Sequence, residues 1–329
     1  MATAELKQER LSSKTKSVAK SSSVMIVLAF AAVYLIWGST YLAIRYAIET
    51  LPPFLMAATR FLIAGGVLFC WAIITGESVR QSFPQWRRAL IIGGLLLLCG
   101  NGGVTWAEKY IASGLAALLV ATEPLWVVML NWAVTHKRPT AKVLLGVLIG
   151  LIGVALLVKD QLTGSGPASS TMRFIGTAVV IVSGFAWASG SVYASRRPIA
   201  ASTAMASGMQ MLAGGLLLLI FGAGIGDFQR LNFNNVSWVS VGALSYLIVF
   251  GSIVAFTAYS WLLRNVTPAR AATYAYVNPV VSVILGWSIA GERVTPWMLA
   301  GAAIIVGSVM LITTYSREVV KDSANEGDL

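Results

Sequence analysis

Apolar positions come in blocks of about 20 along almost the whole chain, with short polar stretches between them. A helix needs about 20 apolar residues to cross the hydrocarbon core of a bilayer, so the pattern predicts an all-α polytopic membrane protein. A β-barrel would alternate apolar and polar positions in segments of about ten, and stretches such as Leu212 to Ile220 do not alternate. Ten spans are expected, at 24–48, 54–74, 88–107, 113–134, 141–158, 173–194, 202–223, 237–261, 268–290 and 296–315. Turn residues mark the joins: Pro52-Pro53, Pro84, Lys137-Arg138-Pro139, Arg196-Arg197-Pro198 and Thr267-Pro268. The longest join, 159–172 (KDQLTGSGPASSTM), falls mid-chain, and its Gly, Ser and Pro content is that of a linker.

The blocks repeat. IWGSTYLAIR at 36–45 aligns with AWASGSVYAS at 186–195, setting Trp37 against Trp187 at an offset of 150. The AGG triplets at 64–66 and 213–215 differ by 149. Glu123-Pro124 and Asn278-Pro279 differ by 155, as do LLG at 144–146 and LAG at 299–301. A four-residue insertion between Leu262 and Arg270 accounts for the drift. Each unit carries five spans, an odd number, so the second copy should enter the membrane from the opposite side. Inverted repeats of this kind are a transporter signature, with the substrate site near the midplane between the halves. The expected organisation is a disordered cytoplasmic tail (1–23), a first five-helix repeat (24–158), a periplasmic linker (159–172), a second five-helix repeat (173–315) and a cytoplasmic tail (316–329).

Composition agrees: 11% of residues are charged, against about 25% in a soluble domain. The net charge of +11 is scattered over inter-helix loops rather than clustered, which argues against nucleic acid as a partner. With the N-terminus in the cytoplasm, 17 of the 24 basic residues fall on the inner side, six on the outer side, and Arg60 lies within a span. The positive-inside rule therefore places both termini in the cytoplasm. Cys70 and Cys99 lie in apolar runs, which implies no disulfide framework, and the single histidine, His136, gives no basis for a metal site.

The five-plus-five layout, Trp37 and Trp187, RFLIAGG at 60–66, YAYVNPVVSVILGW at 274–287 and the following Gly291-Glu292 resemble the EamA-type transporters. These form part of the drug/metabolite transporter superfamily of bacterial inner membranes, and the resemblance, strongest to the YedA-like branch, covers about 24–315. It implies export of small amphipathic metabolites, such as amino acids, or of drugs. The chain departs from the family at HKRP, 136–139, where the glycine–glutamate pair is often repeated.

Three helices carry polar or aromatic residues at i, i+4 spacing, which sets them on one face. These stripes are Trp37, Tyr41 and Arg45 with Thr40 adjacent; Ser183, Trp187, Ser191 and Ser195; and Arg270, Tyr274, Asn278 and Ser282. A looser set holds Asn101, Thr105, Glu108 and Lys109, with Gly251, Ser252 and Thr257 as its counterpart. Together they outline a candidate cavity of Trp37, Thr40, Tyr41, Asn101, Glu123, Trp187, Ser191, Ser252, Tyr274 and Asn278. Taken singly, each Ser or Thr reads as helix–helix glue; it is their coincidence on related helices that indicates a cavity.

Glu123 is the one acid placed near the middle of a span. An acid there costs about 2.5–3.5 kcal/mol even on lenient insertion scales, which makes it a functional candidate. Two roles stay open: proton binding in exchange for a cationic or zwitterionic solute, or a structural pair with Arg60 or Arg45. Pro124 and Pro279 are candidate helix kinks, since each lacks an N–H and frees a carbonyl four residues back.

No cluster of titratable groups suits an enzyme, and no cofactor motif is present. The expected activity is secondary transport of a neutral, zwitterionic or cationic solute by alternating access, in contact with membrane lipids. Proton coupling and oligomeric state stay open. A uniporter or channel-like facilitator is the alternative, and a membrane sensor or structural protein the alternative of another class.

Overall fold

A computed structural model describes the backbone of residues 2–136, 138–163, 168–266, 271 and 273–325. Its side chains are described within 24–312, apart from 137, 160–167, 267–270, 272 and 276. Arg270 of the expected helix-nine stripe, Lys137, the Thr267-Pro268 turn and the centre of the linker lie outside the described residues.

The helices are α1 (Ala2–Ala47), α2 (Pro53–Ile74), α3 (Phe83–Ala107), α4 (Ser113–Thr135), α5 (Ala141–Thr163), α6 (Ser170–Arg196), α7 (Thr203–Gly224), α8 (Trp238–Asn265), α9 (Tyr274–Ser288) and α10 (Pro296–Asn325). Eight of them, α1 to α8, are long and apolar enough to cross a bilayer; within α9 and α10 the apolar stretches Val277–Ser288 and Pro296–Ile312 are shorter. Among the described residues there is no strand. Large apolar side chains such as Leu28, Leu148, Val182 and Trp287 face outward, as lipid contact requires. The chain is a polytopic helical membrane protein. Backbone 2–23, expected as a disordered tail, continues α1 as helix, and 316–325, expected as a cytoplasmic tail, continues α10; their Ala, Glu and Lys residues are strong helix formers.

Local chemistry sets the helix ends. Ser169, Ser202 and Ser237 cap α6, α7 and α8, accepting from the N–H groups of Met172, Met205 and Ser240. Two ends are capped by acids from distant loops. Glu77, just after α2, accepts from Ser202 N at the start of α7 (2.8 Å). Asp227, just after α7, is fully buried and accepts from Phe54 N at the start of α2 (3.0 Å).

α2 packs along α7 and α5 along α10; α1 lies against α8 and α9, and α6 against α3 and α4. Glycines permit backbone contact at these crossings. A Cβ on Gly93 would lie 2.6 Å from Gln210 O and 2.7 Å from Gly214 N, and one on Gly208 would lie 2.8 Å from Phe69 N. Without a hydrophobic drive between helices in lipid, such close approach is a main source of packing energy.

Three helices are irregular near mid-length. α3 widens into a π-helix at Gly94–Gly102, and α8 does so at Leu247–Val254. α4 breaks at Ala121 and Thr122 and restarts at Glu123, with Pro124 in its new first turn, whereas Pro279 lies inside α9.

Candidate substrate cavity

The widened turns of α3 and α8 face each other across α1 and α6. The Trp37 ring reaches the α8 segment, where its Nε1 donates to Gly251 O (3.1 Å). The Trp187 ring lies against Gly100 of the α3 segment; a Cβ there would come within 3.0 Å of it. π-Turns are common at functional sites because they re-aim side chains and backbone groups without ending the helix.

Between these contacts lies a cavity of about 60 Å³. Trp37, Thr40, Tyr41, Asn101, Trp187, Tyr274 and Asn278 of the expected set line it, joined by Arg60, Phe61, Ser183 and Phe256. Most of these side chains are under 10% exposed. Drug-sized ligands occupy sites of about 300–1,000 Å³, so the cavity is smaller than such a site.

The other three expected residues stand just behind the wall. Ser252 Oγ accepts from Arg60 Nε (2.7 Å). Ser191 bonds the Tyr259 hydroxyl (2.9 Å). Glu123, 1% exposed, accepts the hydroxyl hydrogen of Tyr274. Neither candidate arginine pairs with Glu123: Arg60 is held by Ser252, and Arg45 forms an ion pair with Glu292 (3.1 Å). Glu123 thus meets the cavity through Tyr274.

Four rings close one side of the cavity. Trp37 lies 4.9 Å from Tyr259, 5.3 Å from Tyr274 and 5.5 Å from Trp187, centroid to centroid. Tyr259 lies 5.8 Å from Tyr274 and 6.0 Å from Trp187. Aromatic pairs at these separations contribute about 0.5–1.5 kcal/mol each beyond burial. Beyond this septum is a second cavity of about 460 Å³, walled by Tyr259, Ser195, Gln210, Ser260 and Arg264. It belongs to the basic end of the bundle, where Arg88 and Arg264 donate to the carbonyls of Pro198 and Ala201.

At the opposite end, Glu292 caps α4. Its Oε1 accepts from Ser113 N (2.9 Å) and Ser113 Oγ (2.8 Å), and its Oε2 from Gly114 N (3.1 Å). Gly291, at φ 63°, turns the chain so that this carboxylate points back over the helix start, where it also meets the positive end of the helix dipole.

Family comparison agrees with this architecture. The EamA-like transporter family matches residues 24–159 and 174–314. The chain belongs to that family. It is 39% identical over 285 residues to the inner membrane transporter YedA of Escherichia coli (strain K12), covering 86% of this chain and 88% of that one. A transporter of Archaeoglobus fulgidus is 26% identical over 88% of this chain and 98% of its own. A protein of known crystal structure superposes with a TM-score of 0.63 over 89% of this chain and 99% of its own at 23% identity, a likeness of fold. The EamA-like proteins are transporters, not enzymes.

Sequence spacing alone missed Arg60 as a lining residue, Tyr259 as the centre of the septum, and Asp227 and Glu292 as buried caps. Tyr259 follows the π-segment of α8, across which the α-helical period slips, so its spacing from Ser252 gave no signal.

Proposed function

We propose that the chain is a secondary transporter that exports small amphipathic metabolites or drugs across the bacterial inner membrane by alternating access of the central cavity. The observation that carries this is the small buried cavity of aromatic rings and polar groups, set between helices whose packing recurs in two halves. Ten spans in two inverted repeats account for that recurrence. In this scheme α1 to α5 correspond to α6 to α10, and the pairings α1–α9 and α1–α8 become α6–α4 and α6–α3. The reciprocal caps Glu77 on α7 and Asp227 on α2, the two π-segments and the two Trp–Gly contacts follow the same rule. By the positive-inside rule the basic end is cytoplasmic, and the septum is then the inner gate.

Glu123 is the coupling group in this proposal. An ionised carboxylate accepts a stronger hydrogen bond than a neutral acid, so proton uptake at Glu123 loosens Tyr274 and, with it, the septum. The test is flux in liposomes holding the purified protein. Saturable movement of a small organic solute is expected, driven uphill by an imposed pH gradient, with Glu123→Gln losing the gradient response. Equilibration without accumulation would make the protein a uniporter. Identical flux by wild type and Glu123→Gln at every pH would make the carboxylate structural. Non-saturable flux would favour a channel, and absence of flux for every solute tried would favour a sensory or structural role.

A further inference from the structure

Among the described residues, Arg60 is the one cation in the wall of the central cavity. It is 3% exposed. Its Nε donates to Ser252, and its guanidinium carbon lies 4.7 Å from the Phe61 ring centroid. Gly251 leaves it room, since a Cβ there would come 2.9 Å from Nη2. Its Nη1 is buried and has no hydrogen-bond partner among the described residues. The charges nearest in the fold do not supply one. Arg45 and Glu292 pair with each other, and Glu108, 4% exposed, forms no ion pair among the described residues. A buried guanidinium with an open donor is costly unless something satisfies it, and its planar fork suits a carboxylate. The wall also holds Asn278, whose Oδ1 is buried without a partner among the described residues, and the rings of Trp37 and Tyr274. These accept an ammonium or an apolar body equally well.

We propose that Arg60 is the anchor for a substrate carboxylate, so that the cavity selects apolar monocarboxylates, zwitterions included, over solutes that carry only a cation. This rests on the transport reading and narrows it. Ser252 and Gly251, both in the π-segment of α8, are its positioning residues: one fixes Nε and the other gives the fork its space.

The test uses the full chain in detergent and four probes of similar shape: L-leucine, 4-methylpentanoate, L-leucinamide and 3-methylbutylamine. A ligand that binds only the folded state raises the midpoint of thermal unfolding. Leucine and 4-methylpentanoate should stabilise the protein at concentrations at least tenfold lower than the two carboxyl-free amines. Arg60→Gln should abolish that preference. Arg60→Lys should keep part of it, having the charge without the fork, and Ser252→Ala should weaken it severalfold while leaving the protein folded. The proposal is overturned if the amines stabilise as well as the acids, if Arg60→Lys and Arg60→Gln both keep the wild-type preference, or if none of the four probes stabilises wild type. Flux of any other solute in liposomes would still uphold transport in each of those cases.

Discussion

Tyr259 touches the other three rings of the septum and holds Ser191 through its hydroxyl. It is therefore the side chain whose loss joins the two cavities. Tyr259→Ala should raise the labelling rate of a cysteine placed at Ser183 at least tenfold, using a thiol reagent added at the Arg264 side. Tyr259→Phe keeps the ring and removes a hydrogen bond worth about 0.5–1.5 kcal/mol, so its effect should be far smaller. Equal labelling in all three proteins would mean that the septum is not the barrier. The seven lining residues read from sequence came from i, i+4 stripes on α1, α6 and α9 and from the looser set on α3. The stripes on α3 and α8 were loose for a physical reason: both helices pass through π-turns, where the hydrogen bond spans i to i+5 and the α-helical period slips. Glu108 ends α3, but that end is enclosed by the bundle and the side chain is buried, which spacing alone does not reveal.

Helix ends and crossings carry their own consequences. His136 ends α4 in the left-handed region, at φ 55°. Gly291, 155 residues on, does the same at φ 63° after α9. Histidine pays about 1–2 kcal/mol of strain there that glycine avoids, partly offset by about 0.5–1 kcal/mol of glycine's backbone entropy, so His136→Gly should stabilise the protein modestly, read as a higher unfolding midpoint in detergent. At the α3–α7 crossing, Gly93→Ala would drive a methyl group into backbone. It should cost about 1–3 kcal/mol, and an unchanged midpoint would show that α3 and α7 can separate without penalty. Asp227→Ala strands the buried Phe54 N–H and should cost about 1–3 kcal/mol. Helix positions were legible because 20-residue apolar blocks are long and their joins carry Pro and Ser. The long-range caps were not, since Glu77 and Asp227 each serve a helix more than 100 residues away.

For the whole molecule, topology is the sharpest test. With Cys70 and Cys99 replaced, cysteines introduced at Ser78 and at Gln229, which follow the corresponding helices α2 and α7, should react with impermeant reagent from opposite sides of the membrane. Labelling of both from one side would remove the inverted arrangement. The ion pair at Arg45–Glu292 adds a second consequence. One end of the cavity is bridged by charge and the other by stacked rings, so the two doors answer to different variables. The Arg45 side chain is 36% exposed, so salt screens part of this latch, whereas stacked rings are held mainly by contact that salt does not screen. The opening rate at the Glu292 end should therefore rise with ionic strength while the rate at the Tyr259 end stays nearly constant, measured by labelling cysteines on either side. In the transport cycle proposed above, ionic strength at the Glu292 end would then set how long that end stays open.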